Sequence, residues 1–300
     1  MAKKDSISRY NLIINKVRKH PCSFQDILSF LEQQSDFQGY NFVISKRTFQ
    51  RDLDDIRSIF NIDVKFDFSR KVYLIEDQEN PDYNDRILEA FDTFNALNIT
   101  DSISNHIHFE SRKPRGTENL YGLIHAIKNK FKISYIYYTY WDETPIIRTV
   151  EPFALKEFKN RWYLIAKDDK DERIKTFALD RLSELEISSR HFKKDETYSV
   201  EKHFRYCFGI ITPNDLTDEP EEIILSLTAF QGKYIKSLPL HHTQKVIIDN
   251  EKELRIRLTL HVTFDFIMEL VSLAENLTVI QPVSLKEEII NKLKETLANY

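Results

Sequence analysis

Glycine is scarce in this 300-residue sequence: Gly39, Gly116, Gly122, Gly209 and Gly232 are all it has, and none falls into GxGxxG or GxxxxGK. A backbone that closes on phosphate needs glycine at those spacings, which argues against the common nucleotide enzymes. Cysteine is scarcer still. Cys22 and Cys207 lie far apart without a CxxC partner, so neither a disulfide framework nor structural zinc is expected, and a reducing cytoplasm fits. No run approaches the roughly 18 apolar residues of a membrane span. The opening MAKKDSISRY has no apolar stretch after its lysines, so no secretory leader is expected. The His106/His108 pair lacks a third ligand and is expected to face solvent. Asp168 to Asp171 lacks the glycine and terminal acid of a calcium loop. No nucleophile stands with a base, so no catalytic residue, metal or cofactor is expected and the chain is not read as an enzyme.

What is present is ordinary in amount and uneven in place. The length exceeds what one hydrophobic core usually holds, which predicts two or three domains. Residues 1–75 carry 13 Lys and Arg against 9 Asp and Glu, a net of +4, in a chain whose net charge is -4. A basic head on an acidic body suits a small nucleic-acid-binding domain, because phosphate neutralisation supplies much of such affinity.

Residues 1–80 read as that domain. Ile7, Tyr10, Ile14 and Val17 recur at helical spacing, and His20-Pro21 ends the helix. Ser23 and Asp26 open a second helix with Phe24, Ile27, Leu28 and Leu31 on its core face. After a polar connection from about Ser35 to Ile44, Ser45 caps a third helix with Phe49, Leu53, Ile56 and Phe60 on one stripe. Lys46, Arg47, Thr48, Gln50 and Arg51 then lie in its first half, where a recognition helix reaches base edges. Arginine forks match guanine and glutamine matches adenine. A solvated face with an Arg51–Asp55 pair is the bland alternative. The alternation in IDVKFDFSRKVYLI predicts a hairpin, Ile62–Phe66 and Val72–Ile75, whose tip carries Ser69, Arg70 and Lys71. Three helices and a basic-tipped hairpin make a winged helix-turn-helix. SKRTFQRDL resembles the recognition helix of DeoR-like regulators, through Ser45, Arg47, Thr48, Arg51, Asp52 and Leu53.

A linker over 81–118 carries an apolar helical stripe, Ile87, Leu88, Phe91, Phe94 and Leu97, suited to core or to a dimer surface, and then the basic loop ESRKPRG. Residues 119–195 read as a short helix and β-rich strands, most economically a small antiparallel barrel. Residues 204–300 read as a small α+β domain in which strand and helix patterns alternate; adjacent His241 and His242 are expected to point to opposite sides of a strand. The central region resembles the WYL domain, an Sm-like β-barrel. The resemblance rests on Tyr135, then Arg148, Val150 and Pro152, then Trp162-Tyr163-Leu164, then Phe177, Leu179, Asp180 and Arg181. The last domain resembles the extension that often follows WYL domains.

The resemblance implies an α+β multidomain transcription regulator, a repressor by preference, acting as a homodimer on double-stranded DNA. An anionic effector, a nucleotide or nucleic acid, would be held by Tyr135, Arg148, Tyr163, Lys175 and Arg181. Arginine binds phosphate through paired donors and rings stack on bases. The alternative is a nucleic-acid or nucleotide sensor that regulates a phage-defence system through the barrel.

Overall fold

The computed structural model describes residues 3–38, 40–60, 62–75, 89–90, 116–141, 144–193, 198–213 and 218–300. The linker stripe, the His106/His108 pair and all of the basic loop but Gly116 lie outside these residues. The chain divides into two units, Met1–Glu110 and Ser111–Tyr300.

In the first unit, α1 (Lys3–Lys19) buries Tyr10, Ile13, Ile14 and Val17 and stops before His20-Pro21. Helix α2 (Phe24–Gln38) begins at a reciprocal cap: the Asp26 N–H donates to Ser23 Oγ at 3.2 Å, and the Ser23 N–H donates to Asp26 Oδ2 at 2.9 Å. It runs further than expected, to Gln38, and shortens the connection that follows. There Phe42 is buried, and its N–H donates to Ser35 Oγ at 2.9 Å. In α3 (Lys46–Phe60) the Thr48 N–H donates to Ser45 Oγ at 3.2 Å, and Phe49, Leu53, Ile56 and Phe60 are buried. Strands β1 (Val64–Asp67) and β2 (Val72–Ile75) pair from Val64 opposite Ile75 to Asp67 opposite Val72. Backbone bonds of 3.1 and 2.8 Å between Cys22 and Tyr73 attach the hairpin to the α1–α2 connection.

The second unit holds two sheets. Helix α4 (Leu120–Asn129) precedes β3 (Phe131–Tyr137), β4 (Ile146–Phe158), β5 (Arg161–Asp168), β6 (Ile174–Ala178) and β7 (Leu182–His191). The strand order is β6-β5-β4-β3-β7, so β6 and β7 are opposite edges although only Leu179–Arg181 separate them. Laid flat, those edges would stand roughly 19 Å apart, whereas the four-residue step from Ala178 to Leu182 spans at most about 14 Å. The sheet must therefore roll. Inside the roll the Tyr137 and Phe177 rings meet at 5.3 Å, with Tyr135 at 5.8 Å from Phe177. The Ala178 N–H donates to the Tyr137 hydroxyl across the roll at 3.2 Å. No ladder joins β6 to β7, so the expected barrel is not closed by hydrogen bonds; side-chain packing, including fully buried Leu179, joins the edges instead.

Helix α5 (Val200–Phe204) leads to the second sheet, built from β8 (Glu221–Thr228), α6 (Ala229–Ser237), β9 (Lys245–Asp249), β10 (Glu253–Leu260), α7 (Phe264–Ser272), β11 (Leu277–Gln281) and α8 (Val283–Leu297). The order is β11-β8-β10-β9. Alternate residues of β8 and β10, Ile223, Leu225, Leu227, Leu254, Ile256, Leu258 and Leu260, are buried with side chains of the helices. Arg255, Arg257 and Thr259 alternate with them and face the other way. The two sheets meet through aromatic contacts: Phe208 lies 5.7 Å from Phe158 and 5.6 Å from Phe266. Asp265 Oδ2 accepts the N–H groups of Ile210 and Ile211 at 2.8 and 2.9 Å. Gly209 makes that approach possible, since a Cβ there would stand 2.4 Å from the same oxygen. His241 and His242 are not in a strand. They sit in the turn before β9 with their ring centroids 4.0 Å apart and the planes tilted by 41°, because a turn does not impose the alternation of an extended chain.

Candidate nucleic-acid interface and ligand site

The buried stripe of α3 turns its other side outward. Lys46, Arg47, Gln50 and Arg51 are exposed, and their side chains have no hydrogen-bonding partner among the described residues. Arg51 does not pair with Asp55, whose Oδ2 instead accepts the Tyr10 hydroxyl at 2.6 Å. Thr48 is half-buried and its hydroxyl lies 3.1 Å from that of Ser45, so these two build the cap. At the hairpin tip, Asp67 Oδ1 accepts the Ser69 N–H at 2.8 Å, the Ser69 hydroxyl at 2.7 Å and the Arg70 N–H at 3.1 Å. Ser69 is thus spent on the turn, while Arg70 and Lys71 point outward.

The partner of Asp52 and the exposure of Phe68 escaped sequence reasoning. Asp52 is buried and takes Arg9 in a two-bond pair, Nε to Oδ2 at 2.7 Å and Nη2 to Oδ1 at 2.9 Å. The signal for that burial was available, because position 52 lies three residues after Phe49 and four before Ile56, within the core stripe. Phe68 is 84% exposed at the hairpin tip, edge-on to Phe66 at 5.1 Å.

In the rolled sheet the five expected effector residues do not form one cluster. Tyr135 faces Arg148 across the β3–β4 ladder. Arg148 Nη1 donates to Asp168 Oδ2 at 2.9 Å, and Lys175 Nζ donates to the same oxygen at 2.8 Å while pairing with Asp171 at 2.6 Å. Burial pushes the Asp168 carboxyl up, but the bonds from Lys175 and the Lys170 N–H, with the Arg148 charge, hold it below the ordinary carboxylate value. Asp168 was missed in the sequence although Trp162, Leu164, Ala166 and Asp168 share the period of two that marks one face of a strand. Tyr163 falls on the opposite face of β5 and is buried. Arg181 lies elsewhere, its guanidinium 5.1 Å from the Tyr137 ring and 4.8 Å from the Tyr140 ring. Its neighbour Asp180 pairs with Arg161 at 3.0 Å rather than with Arg181. Next to Tyr140, Trp141 is 94% exposed.

Three of the five share one property. Tyr135 Oη, Arg148 Nε and Arg181 Nε are buried without a hydrogen-bond partner. Burial drives the Tyr135 hydroxyl strongly upward, so it stays a neutral donor. Two arginine N–H groups and one hydroxyl left over in this way suit a ligand rich in acceptor oxygens. Among the described residues, no three His, Cys, Asp or Glu side chains group as metal ligands, and no helix is long and apolar enough to cross a membrane.

Comparison with family models matches the WYL domain over 118–187 and the WCX domain over 219–297. No curated protein sequence matches. Among solved structures the chain is similar to proteasome accessory factor B/C (PafBC) of Arthrobacter aurescens, at 15% identity and a TM-score of 0.34, covering 97% of this chain and 46% of that one. It is also similar to a CRISPR Cas-related protein, at 13% identity and a TM-score of 0.37, covering 99% of this chain and 85% of that one. The chain spans less than half the length of the PafBC chain. Residues 118–187 are thus similar to the WYL domain, and residues 219–297, which follow them, to the WCX domain.

Proposed function

We propose that the protein is a cytoplasmic, homodimeric transcription regulator that binds operator DNA through a DeoR-like winged helix-turn-helix and responds to an anionic effector at an Sm-like WYL sheet. The observation that carries the DNA-binding reading is α3: four polar, mostly cationic side chains stand exposed and unpartnered opposite a fully buried stripe, with Arg70 and Lys71 exposed on the hairpin. Arg47, Gln50 and Arg51 read bases, and Lys71 meets phosphate. Effector control is supported by the orphaned donors of Tyr135, Arg148 and Arg181. Arg181 against two tyrosine rings, beside exposed Trp141, also suits a nucleobase or single strand, which favours a nucleic-acid signal over a simple anion.

The test is binding of the full chain to the DNA upstream of its own coding region, against random DNA, over a range of salt. Arg47→Ala or Arg51→Ala should lose about 1–3 kcal/mol of discrimination between the two DNAs. Lys71→Ala should weaken both DNAs alike and lower the salt slope by about one. Equal binding of both DNAs by the parent protein would overturn the reading.

A further inference from the structure

The outer face of the second sheet carries a cavity of about 310 Å3 where β8, β9 and β10 meet the segment after α5. Arg205, Lys245 and Arg257 line it, with Glu222 as the one carboxylate among the described lining residues, and with Tyr206 and His242 as walls. The register fixes this grouping. Arg257 stands opposite Lys245 in the β10–β9 ladder, and Glu222 stands opposite Thr259 on β8. None of these side chains belongs to the core, which occupies the alternate positions.

The charges do not balance. Glu222 reaches Arg257 at only 3.5 Å, with both side chains about half exposed. Arg205 and Lys245 have no acidic partner among the described residues. The neighbouring Arg255 is different: its Nη2 is bonded to Glu253 Oε1 at 2.8 Å, so it is already neutralised. Three cations around one weakly held carboxylate leave a local positive excess. They do so in a domain that is acidic as a whole: residues 219–297 contain nine Lys and Arg against twelve Asp and Glu.

We propose that this cavity is a second anion site, separate from the WYL sheet, that takes the phosphate group of a small phosphorylated metabolite. Its volume lies at the lower end of the ~300–1,000 Å3 of ligand pockets, enough for a phosphate monoester with one ring. Arg205 and Arg257 supply forked donors and Lys245 a point charge, the combination that phosphate recognition uses. A polymer fits less well. A polyanion must meet many cations along a track, and here the surrounding domain is acidic. The proposal does not rest on the DNA-binding reading, since no residue of Met1–Glu110 takes part.

The experiment is isothermal titration of the full chain with inorganic phosphate, AMP, glucose 6-phosphate and adenosine. At least one phosphate-bearing probe binds and adenosine does not; the stronger of AMP and glucose 6-phosphate identifies the nucleotide or the sugar as the source. Arg257→Gln and Lys245→Gln each weaken that binding at least tenfold, whereas Arg255→Gln leaves it unchanged. Glu222→Gln tightens it several-fold, an outcome that misfolding cannot imitate. Thermal melts of each variant check the fold. The proposal is overturned if no phosphate-bearing probe binds, or if binding survives Arg257→Gln and Lys245→Gln but is lost with Lys175→Gln, which would place the anion in the WYL sheet.

Discussion

At Asp168 one carboxylate answers two cations inside the rolled sheet. Its side chain is 1% exposed, that of Arg148 17% and that of Lys175 31%. Removing the carboxylate strands Arg148 while Lys175 keeps Asp171, so Asp168→Asn should destabilise by about 2–3 kcal/mol, less than the ~3–5 kcal/mol of a fully buried pair. The pH dependence has a definite sign. The folded carboxyl titrates below the ordinary value of about 3.9, so its contribution is complete above that pH and is lost as pH falls through the lower folded value. Urea melts should show a constant gap between parent and variant from pH 7 to 5, closing below about 4. A gap that widens in acid would contradict the assignment. His241 provides the opposite chemistry. Burial, then His242 and Lys156, depress it from 6.5 to about 4. Its neutral ring therefore supports the fold above about 6.5, and that support is lost as pH falls toward 4. Its proton NMR signal should titrate near 4, and His241→Gln should flatten the loss of stability between those values. A midpoint near 6.5 would refute the burial of the His241 ring.

At the scale of elements, α3 depends on a charge that its exposed face does not reveal. The Arg9–Asp52 pair, with side chains only 3% and 4% exposed, ties α1 to α3. Either Arg9→Met or Asp52→Leu alone should cost about 3–5 kcal/mol, because one charge is left buried, while the double variant should recover most of that loss. Denaturant titration of the three proteins reads the coupling directly, and additive losses would count against it. Much of this element was legible beforehand. Helix 46–60 has a cap, a four-residue apolar stripe and a basic first half, all of them local signals. The hairpin was legible through its period of two, and the strands from 146 to 168 through their β-branched and aromatic residues. What could not be read is how faces meet across long sequence distances. Nothing local to Asp52 specifies Arg9, 43 positions away. Nothing near Tyr163 says that β5 turns it away from Arg148. The open roll also escaped, because alternation marks which residues face inward but not whether the edge strands pair.

At the scale of the second unit, ring contacts and an ion pair lie between the two sheets. Phe208 sits between Phe158 at the end of β4 and Phe266 on α7, while the Lys159–Glu269 pair at 2.7 Å has a lysine that is 56% exposed. A surface pair of that kind contributes under about 1 kcal/mol, whereas a half-buried phenylalanine between two rings contributes both apolar area and ring geometry. Phe208→Ala should therefore loosen the connection, and Lys159→Gln should not. A ligand held by one sheet stabilises the other only through contacts that differ between states, and such coupling is reciprocal. Hydrogen exchange of the full chain can read it. In the parent protein, β8 and β10 should exchange at the rate of the first sheet's core, as one cooperative unit. In Phe208→Ala they should exchange faster than β3 and β4, by about tenfold or more for a loss of roughly 1.4 kcal/mol or more. If the two sheets remained matched in that variant, the ring contacts would be packing alone, and coupling would have to run through other contacts, such as Ile165 and Ala154 packed with Phe204 and Cys207, or the Asp265 carboxylate and the two amides it holds.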